Sequence, residues 1–240
     1  MARRARPDEE PVEATPVGEP PPAAFFEDDA VAANGPIVLL PGRTEFPETM
    51  LSLFPDGDVT WIDEVGGAVM IATVPQGQLG VCFTVGLSRL PLDDGPAAEL
   101  FCVTKLGQEG AGALALRIAV ELVAEERRSW AAGELWLNDT PFLRDTLIQA
   151  MVAAPDPHTV QAADGTLLGF ISELLLLTAQ EAMVVADGGF AALQQALSAN
   201  PLPGRDVERA SLVTALEATV ERRPAPQRAA PAQGRARRGY

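Results

Sequence analysis

Apolar positions recur along this chain in two rhythms, every second residue in some stretches and every third or fourth in others. Residues 47–54 place Met50, Leu51 and Phe54 at helical spacing and predict a short helix. Residues 59–62 and 68–74 read as strands around an Asp63–Gly67 turn, in which Gly66-Gly67 supplies positive φ. Residues 80–85 and 100–105 are a third and a fourth strand. The 91–96 stretch joining them is a loop by its Asp93-Asp94-Gly95 chemistry. Residues 113–128 form the clearest helix: Leu114, Ile118 and Leu122 fall at steps of four, with Ala115, Ala119 and Val123 beside them as one apolar face. Arg127 and Arg128 then stand in its last turn, where cations complement the helix dipole.

Residues 134–138 alternate as a strand does. Asp139-Thr140-Pro141 offers a capping oxygen and a proline at the first helical position. That predicts a helix carrying Leu143, Leu147, Ile148, Met151 and Val152 and ending before Pro155. Residues 158–163 and 167–177 are strands separated by the Asp164-Gly165 turn, and the second is so continuously apolar that it belongs inside a sheet. Thr178 and Glu181 form a capping box that opens another helix, stopped by Gly188-Gly189. A last helix spans residues 190–199. The fold class is therefore α+β: one domain over residues 36–220, with a mixed, largely antiparallel sheet and helices packed on it.

The two ends lack both rhythms. Residues 1–35 combine Pro7, Pro11, Pro16, Pro20, Pro21 and Pro22 with acids and alanine, a composition that buries too little apolar area to offset its ordering entropy. From 221 to 240 the chain is arginine, proline, alanine and glycine, a basic tail. Both segments are expected to be disordered. This layout makes the formal charge of −15 uneven. Three arginines near the N-terminus and six from Arg222 onward take nine of the eighteen basic residues, so nine remain between them and the middle is strongly acidic. Such a field repels nucleic acid and anionic lipid and favours solubility or a basic partner. The 47% hydrophobic content is enough for one substantial core. Cys82 and Cys102 lie in strand-like apolar runs and are expected as free, buried thiols, which points to a reducing compartment and a cytoplasmic location. No secretory signal or membrane span is expected.

Candidate chemistry is thin. His158 is the sole histidine and has no Cys–His or His–His partner in sequence. Asp63/Glu64, Asp93/Asp94 and Glu125/Glu126 are adjacent pairs, which point to opposite sides of a strand and read as turn and surface residues. Ser88 follows Gly86, but Leu90 stands where a nucleophile elbow needs glycine. Gly107, Gly110 and Gly112 precede a helix as an anion cradle would, without the lysine and hydroxyl of a phosphate loop. Trp61 and Trp136 are expected in the core and Trp130 partly exposed. No catalytic residue, cofactor or metal is expected. A hydrolase or transferase using Ser88 and His158, or a scaffold docking on nucleic acid through the basic tail, stands as the alternative.

Phe83-Thr84-Val85-Gly86-Leu87-Ser88 resembles the glycine–methionine/leucine–serine signature of the suppressor-of-fused family. The Glu99-Leu100-Phe101 strand, the alanine- and leucine-rich helix after it, Gly133-Glu134-Leu135-Trp136, Gln149-Ala150-Met151 with Asp156-Pro157, and Gly165-Thr166-Leu167-Leu168-Gly169-Phe170 follow in the family's order. So do Leu177-Thr178-Ala179-Gln180-Glu181 and the closing Asp206-x-x-Arg209-x-Ser211, so that the similarity spans roughly residues 55–213. Two departures stand out: Arg89 replaces the family's aspartate after the serine, and Gln76-Gly77-Gln78 replaces a histidine- and tryptophan-rich segment. The resemblance to bacterial-type members implies a non-enzymatic protein-binding domain, a regulatory or toxin-neutralising (immunity) partner. In the family's animal member the bound chain is an extended peptide added as a strand. Gly86, Ser88, Arg89, Glu99, Asp206 and Arg209 carry the motif and are the candidate partner-binding residues, with Gly86 expected in a close backbone approach and Asp206 paired with Arg209 or a nearby amide.

Overall fold

The structure, a computed structural model, describes Leu40 and residues 44–55, 57–187, 190–199 and 201–212. The two terminal segments and the Gly188-Gly189 helix stop lie outside the described residues. Helix α1 (Glu45–Leu53) precedes strands β1 (Thr60–Val65), β2 (Val69–Gln76), β3 (Leu79–Val85) and β4 (Ala97–Lys105). Helix α2 (Glu109–Glu126) is followed by β5 (Leu135–Leu137), β6 (Ile148–Ala153), β7 (His158–Gln161) and β8 (Leu167–Thr178), then by α3 (Ala179–Ala186) and α4 (Phe190–Ala199). The eight strands make one sheet in the order β1-β2-β3-β4-β8-β6-β5, with β7 also on β8. Among these strands only β4 and β8 run parallel; every other pair is antiparallel. The class is α+β, as the sequence pattern predicts.

Helices cover both faces of this sheet. On one, α2 sets Ala115, Leu116, Ala119, Val120 and Val123 against Ile71, Cys82, Leu100, Cys102 and Leu174. On the other, Phe46 and Met50 of α1 pack on Ala72, Val74, Val81, Phe83, Phe101 and Ile171. A third cluster joins Ala182 and Val185 of α3 and Leu193 of α4 to Ala150, Val152, Leu175 and Leu177. Burial on both faces explains why β8 is apolar almost throughout. Cys82 and Cys102 face each other in register on β3 and β4, both free and buried.

Several sequence expectations are corrected. The helix predicted over 143–152 is instead a turn followed by β6: Phe142 N donates to Ile148 O at 3.1 Å and Ile148 N to Thr146 Oγ1 at 3.1 Å. Leu147 points outward at 55% exposure, whereas Ile148 and residues 150–153 are dry on both faces. A short apolar run of that kind satisfies either period, and pairing on both sides, with β5 and β8, decides for strand. The stripe on α2 is also shifted by one position, since Leu114 is exposed and the packed residues are the alanines and valines plus Leu116. The small side chains let the helix approach the sheet closely; a Cβ on Gly112 would lie 3.0 Å from Cys82 Sγ. Gly110 and Gly112 accordingly lie inside α2, not in an anion-binding loop. Finally, Trp61 is 54% exposed rather than core, while Trp136 is half-buried edge-on against Phe142.

The capping box on α3 is present in full: Glu181 N donates to Thr178 Oγ1 and Thr178 N to Glu181 Oε2. Helix α2 ends at Glu126, two residues before the expected end at Arg128. Arg127 takes a left-handed conformation (φ 53°) as the cap, its carbonyl accepts Asp93 N at 2.7 Å, and its guanidinium grips the Asp93 carboxylate at 2.8 and 3.0 Å. The 91–96 loop is thereby pinned to the helix end.

Candidate functional site

The six motif residues separate into two clusters and one outlier. In the first cluster, β4 carries Glu99 into a fully buried position beside the end of β3. Its Oε1 accepts Gly86 N at 2.9 Å, Ser88 N at 3.0 Å and Ser88 Oγ at 2.7 Å; its Oε2 accepts Thr84 Oγ1 at 2.6 Å and Leu87 N at 3.3 Å. The chain supplies these amides by turning sharply at Gly86 (φ 105°) into a single 3-10 turn over Leu87–Arg89. Glycine is required there, because a Cβ would sit 2.9 Å from the carbonyl oxygen of Ala68. Burial pushes the Glu99 carboxyl above its ordinary range, and the hydroxyl and amide donors pull it part of the way back. Chemically this is a carboxylate clamp that locks the β3–β4 connection.

The second cluster fastens the C-terminal residues of the domain. Arg209 Nη2 donates to Glu181 Oε2 at 2.9 Å and to Leu176 O at 2.7 Å, while Nη1 donates to Asp206 O at 3.0 Å. Leu212 N closes the other carboxylate oxygen of Glu181 at 2.8 Å. Asp206 turns its own carboxylate outward, where it accepts Gln108 Nε2 at 2.8 Å, Glu208 N at 3.0 Å and Lys105 Nζ at 3.1 Å. Those donors hold the Asp206 carboxyl below the usual range, the Gln108 amide most of all. Asp206 thus meets Arg209 through its backbone and nearby amides through its side chain, and Arg205 adds a pair with Glu173.

Arg89 stands apart. Its Nε donates to Leu40 O at 3.0 Å and its carbonyl accepts Leu40 N at 2.8 Å, so it tethers the chain entering the domain. Ser88 and His158 are not hydrogen-bonded to one another. The serine hydroxyl is spent on Glu99, and His158 lies exposed at the start of β7 with its ring centroid 6.3 Å from that of Phe101. No group of three or more His, Cys, Asp or Glu among the described residues could hold a metal ion. No helix among the described residues is long and apolar enough to cross a membrane.

Sequence reasoning missed Glu181 as an ion-pair partner, having used it only as a cap, and missed Gln108 and Lys105. One signal was readable: a glutamate inside the strand Ala97–Lys105 must be either exposed or fully partnered. Several large apolar side chains remain exposed outside these clusters. Trp61 and Ile62 on β1, and Leu137 on β5, are exposed on the two outermost strands.

No protein-family model and no curated protein matches the sequence. Solved structures do match. A chain of the Sufu–Fu complex superposes with a TM-score of 0.51 at 12% identity, over 77% of this chain and 97% of that one. A suppressor-of-fused homolog from Neisseria gonorrhoeae superposes at 0.47 with 10% identity, over 70% and 95% respectively. The protein has a suppressor-of-fused-like fold.

Proposed function

We propose that the protein is a non-enzymatic domain that holds another protein, as a regulatory or toxin-neutralising partner in the cytoplasm. It acts through residues 36–220, with 1–35 and 221–240 as appended segments. The observation that carries this reading is the direction of the polar motif side chains. Glu99, Ser88 and Arg209 are consumed by the chain's own backbone and side chains, while large apolar side chains stand uncovered on both outer strands. Inward polar clamps stiffen a surface, and exposed apolar groups on a stiff surface suit association better than chemistry. A chain of this fold occurs in the Sufu–Fu complex, which supports the same kind of work here.

The test begins with the full chain immobilised in an extract of its source, followed by calorimetry of each captured protein after purification. The expected result is one purified partner bound with Kd below about 10 μM. Growth restored by co-expressing the chain with a partner that is toxic alone would establish the neutralising role. Absence of any purified partner at that affinity overturns the reading. So does substrate turnover lost on Ser88→Ala or His158→Ala, or salt-sensitive nucleic-acid retention that vanishes with residues 222–240.

A further inference from the structure

Strand β1 presents two adjacent large apolar side chains to solvent, Trp61 at 54% and Ile62 at 41% exposure. A bulge is the cause. Trp61 pairs with Ala72 and Asp63 with Ile71, so Ile62 is an extra residue, and the in–out alternation that would hide one of the two is broken. β2 is the only strand beside β1 among the described residues.

The stretch of sequence that contains this edge carries charge of one sign. Between Arg43 and Arg89 the sequence contains no lysine, arginine or histidine, yet carries Glu45, Glu48, Asp56, Asp58, Asp63 and Glu64. The cation facing β1 from α2 is Arg117, and it is already taken by Asp63 at 3.3 Å and Glu121 at 3.2 Å. Asp58 and Glu64 are exposed and have no ion pair among the described residues. Acids and a bulge on an outer strand also guard against self-pairing. A guard, however, has no use for an uncovered tryptophan beside an uncovered isoleucine, since both raise the cost of leaving the edge in water.

We propose that this face of β1 docks an arginine-bearing segment of the partner protein. A guanidinium stacks on the Trp61 ring, an apolar side chain covers Ile62, and the Asp58 and Glu64 carboxylates supply the opposing charge. Because the bulge interrupts the ladder, side chains do the reading and the sheet is not extended. The inference rests on the protein-binding reading above and adds the place and the chemistry of the contact.

The test titrates the full chain with a short peptide of alternating arginine and valine, read by calorimetry and tryptophan fluorescence. Binding should weaken at least about tenfold with Trp61→Ala or Glu64→Lys. It should fall with added salt. It should also survive N-methylation of the peptide's backbone, which prevents sheet extension. Equal binding by wild type and both variants overturns the proposal, as does no binding at all. Loss on N-methylation overturns it in favour of strand addition. Affinity that appears only when residues 222–240 are removed overturns it in favour of the chain's own arginines, and a dimer formed through β1 overturns it in favour of a second copy. If Glu64→Lys and Trp61→Ala still bind the purified cellular partner at wild-type affinity, this site falls while the protein-binding reading stands.

Discussion

Arg209 and Glu181 form an ion pair of 2.9 Å in which the glutamate is fully buried and the arginine side chain is 5% exposed. Stripping water from both charges is expensive, and their mutual attraction offsets that only when the remaining hydrogen-bonding groups are also used. Here they largely are. Leu176 O and Asp206 O accept from the guanidinium, and Thr178 N and Leu212 N donate to the carboxylate. One pair therefore ties the end of β8, the start of α3 and the last described residues together.

Removing one partner leaves the other charged and dry. Arg209→Ala is expected to cost about 3–5 kcal/mol. Asp206→Ala loses outward contacts to Gln108 and to an exposed lysine and should cost about 1 kcal/mol. Urea unfolding of the three proteins checks this, with equal midpoints for the two variants as the outcome that contradicts it.

Glycines with positive φ differ in what surrounds them. At Gly77 (φ +62°) an added methyl would meet nothing within 4 Å, so Gly77→Ala should cost only the left-handed penalty, about 1–2 kcal/mol. At Gly86 (φ +105°) the methyl would also press on Ala68 O at 2.9 Å and disturb the amides that hold Glu99. Gly86→Ala is expected to cost at least about 3 kcal/mol. Thermal unfolding of the pair orders them; a Gly77 variant as damaged as the Gly86 variant would contradict the close approach.

Much of this architecture was legible because local signals and global packing agree. The Gly66-Gly67 hairpin, the capping box at Thr178 and the apolar run of β8 each have one solution. Residues 143–152 do not. Asp139-Thr140-Pro141 looks like a helix start, and only the long-range pairing of β6 with β8, invisible in local sequence, makes the segment a strand. Trp61 fails for a related reason, since one inserted residue in β1 reverses what alternation says about its neighbours. Among the motif residues, Gly86 and Asp206 were placed by their chemistry. The partners of Glu99 and Arg209 come from turns and strands far apart in sequence, and no local rule brings Arg209 to Glu181.

The two thiols should report opening of the core. Burial pushes Cys82 up to about 11, with the nearby Glu109 charge adding to the rise, and burial pushes Cys102 higher still. Thiolate, the reactive form, is scarce at both in the folded state. A disulfide reagent at mildly alkaline pH is expected to label neither cysteine in the native protein and both in urea. Rapid native labelling of either one would mean that the sheet beneath α2 opens locally.

Glu99→Gln separates the clamp's geometry from its charge. The carboxylate uses both oxygens as acceptors, whereas an amide offers one oxygen and turns an NH2 toward Thr84 Oγ1 and Leu87 N or toward Gly86 N and Ser88 N. Leaving such a buried donor unpaired costs about 1–3 kcal/mol. The pH dependence has a definite sign. Because burial raises the folded-state carboxyl above its unfolded value of about 4.3, the folded protein keeps this proton where the unfolded chain has lost it. Stability contributed by Glu99 is then fully present below that value and is lost as pH rises through the folded one. Carboxyls shifted the other way, at Asp206 and Glu134, occur in both proteins and cancel in the comparison. The gap in urea midpoint between wild type and Glu99→Gln should therefore narrow as pH is raised from about 4 through the neutral and mildly alkaline range. A gap that widens over that range would show that five donors outweigh desolvation and that the clamp closes on an ionised carboxylate whose affinity for protons is lowered.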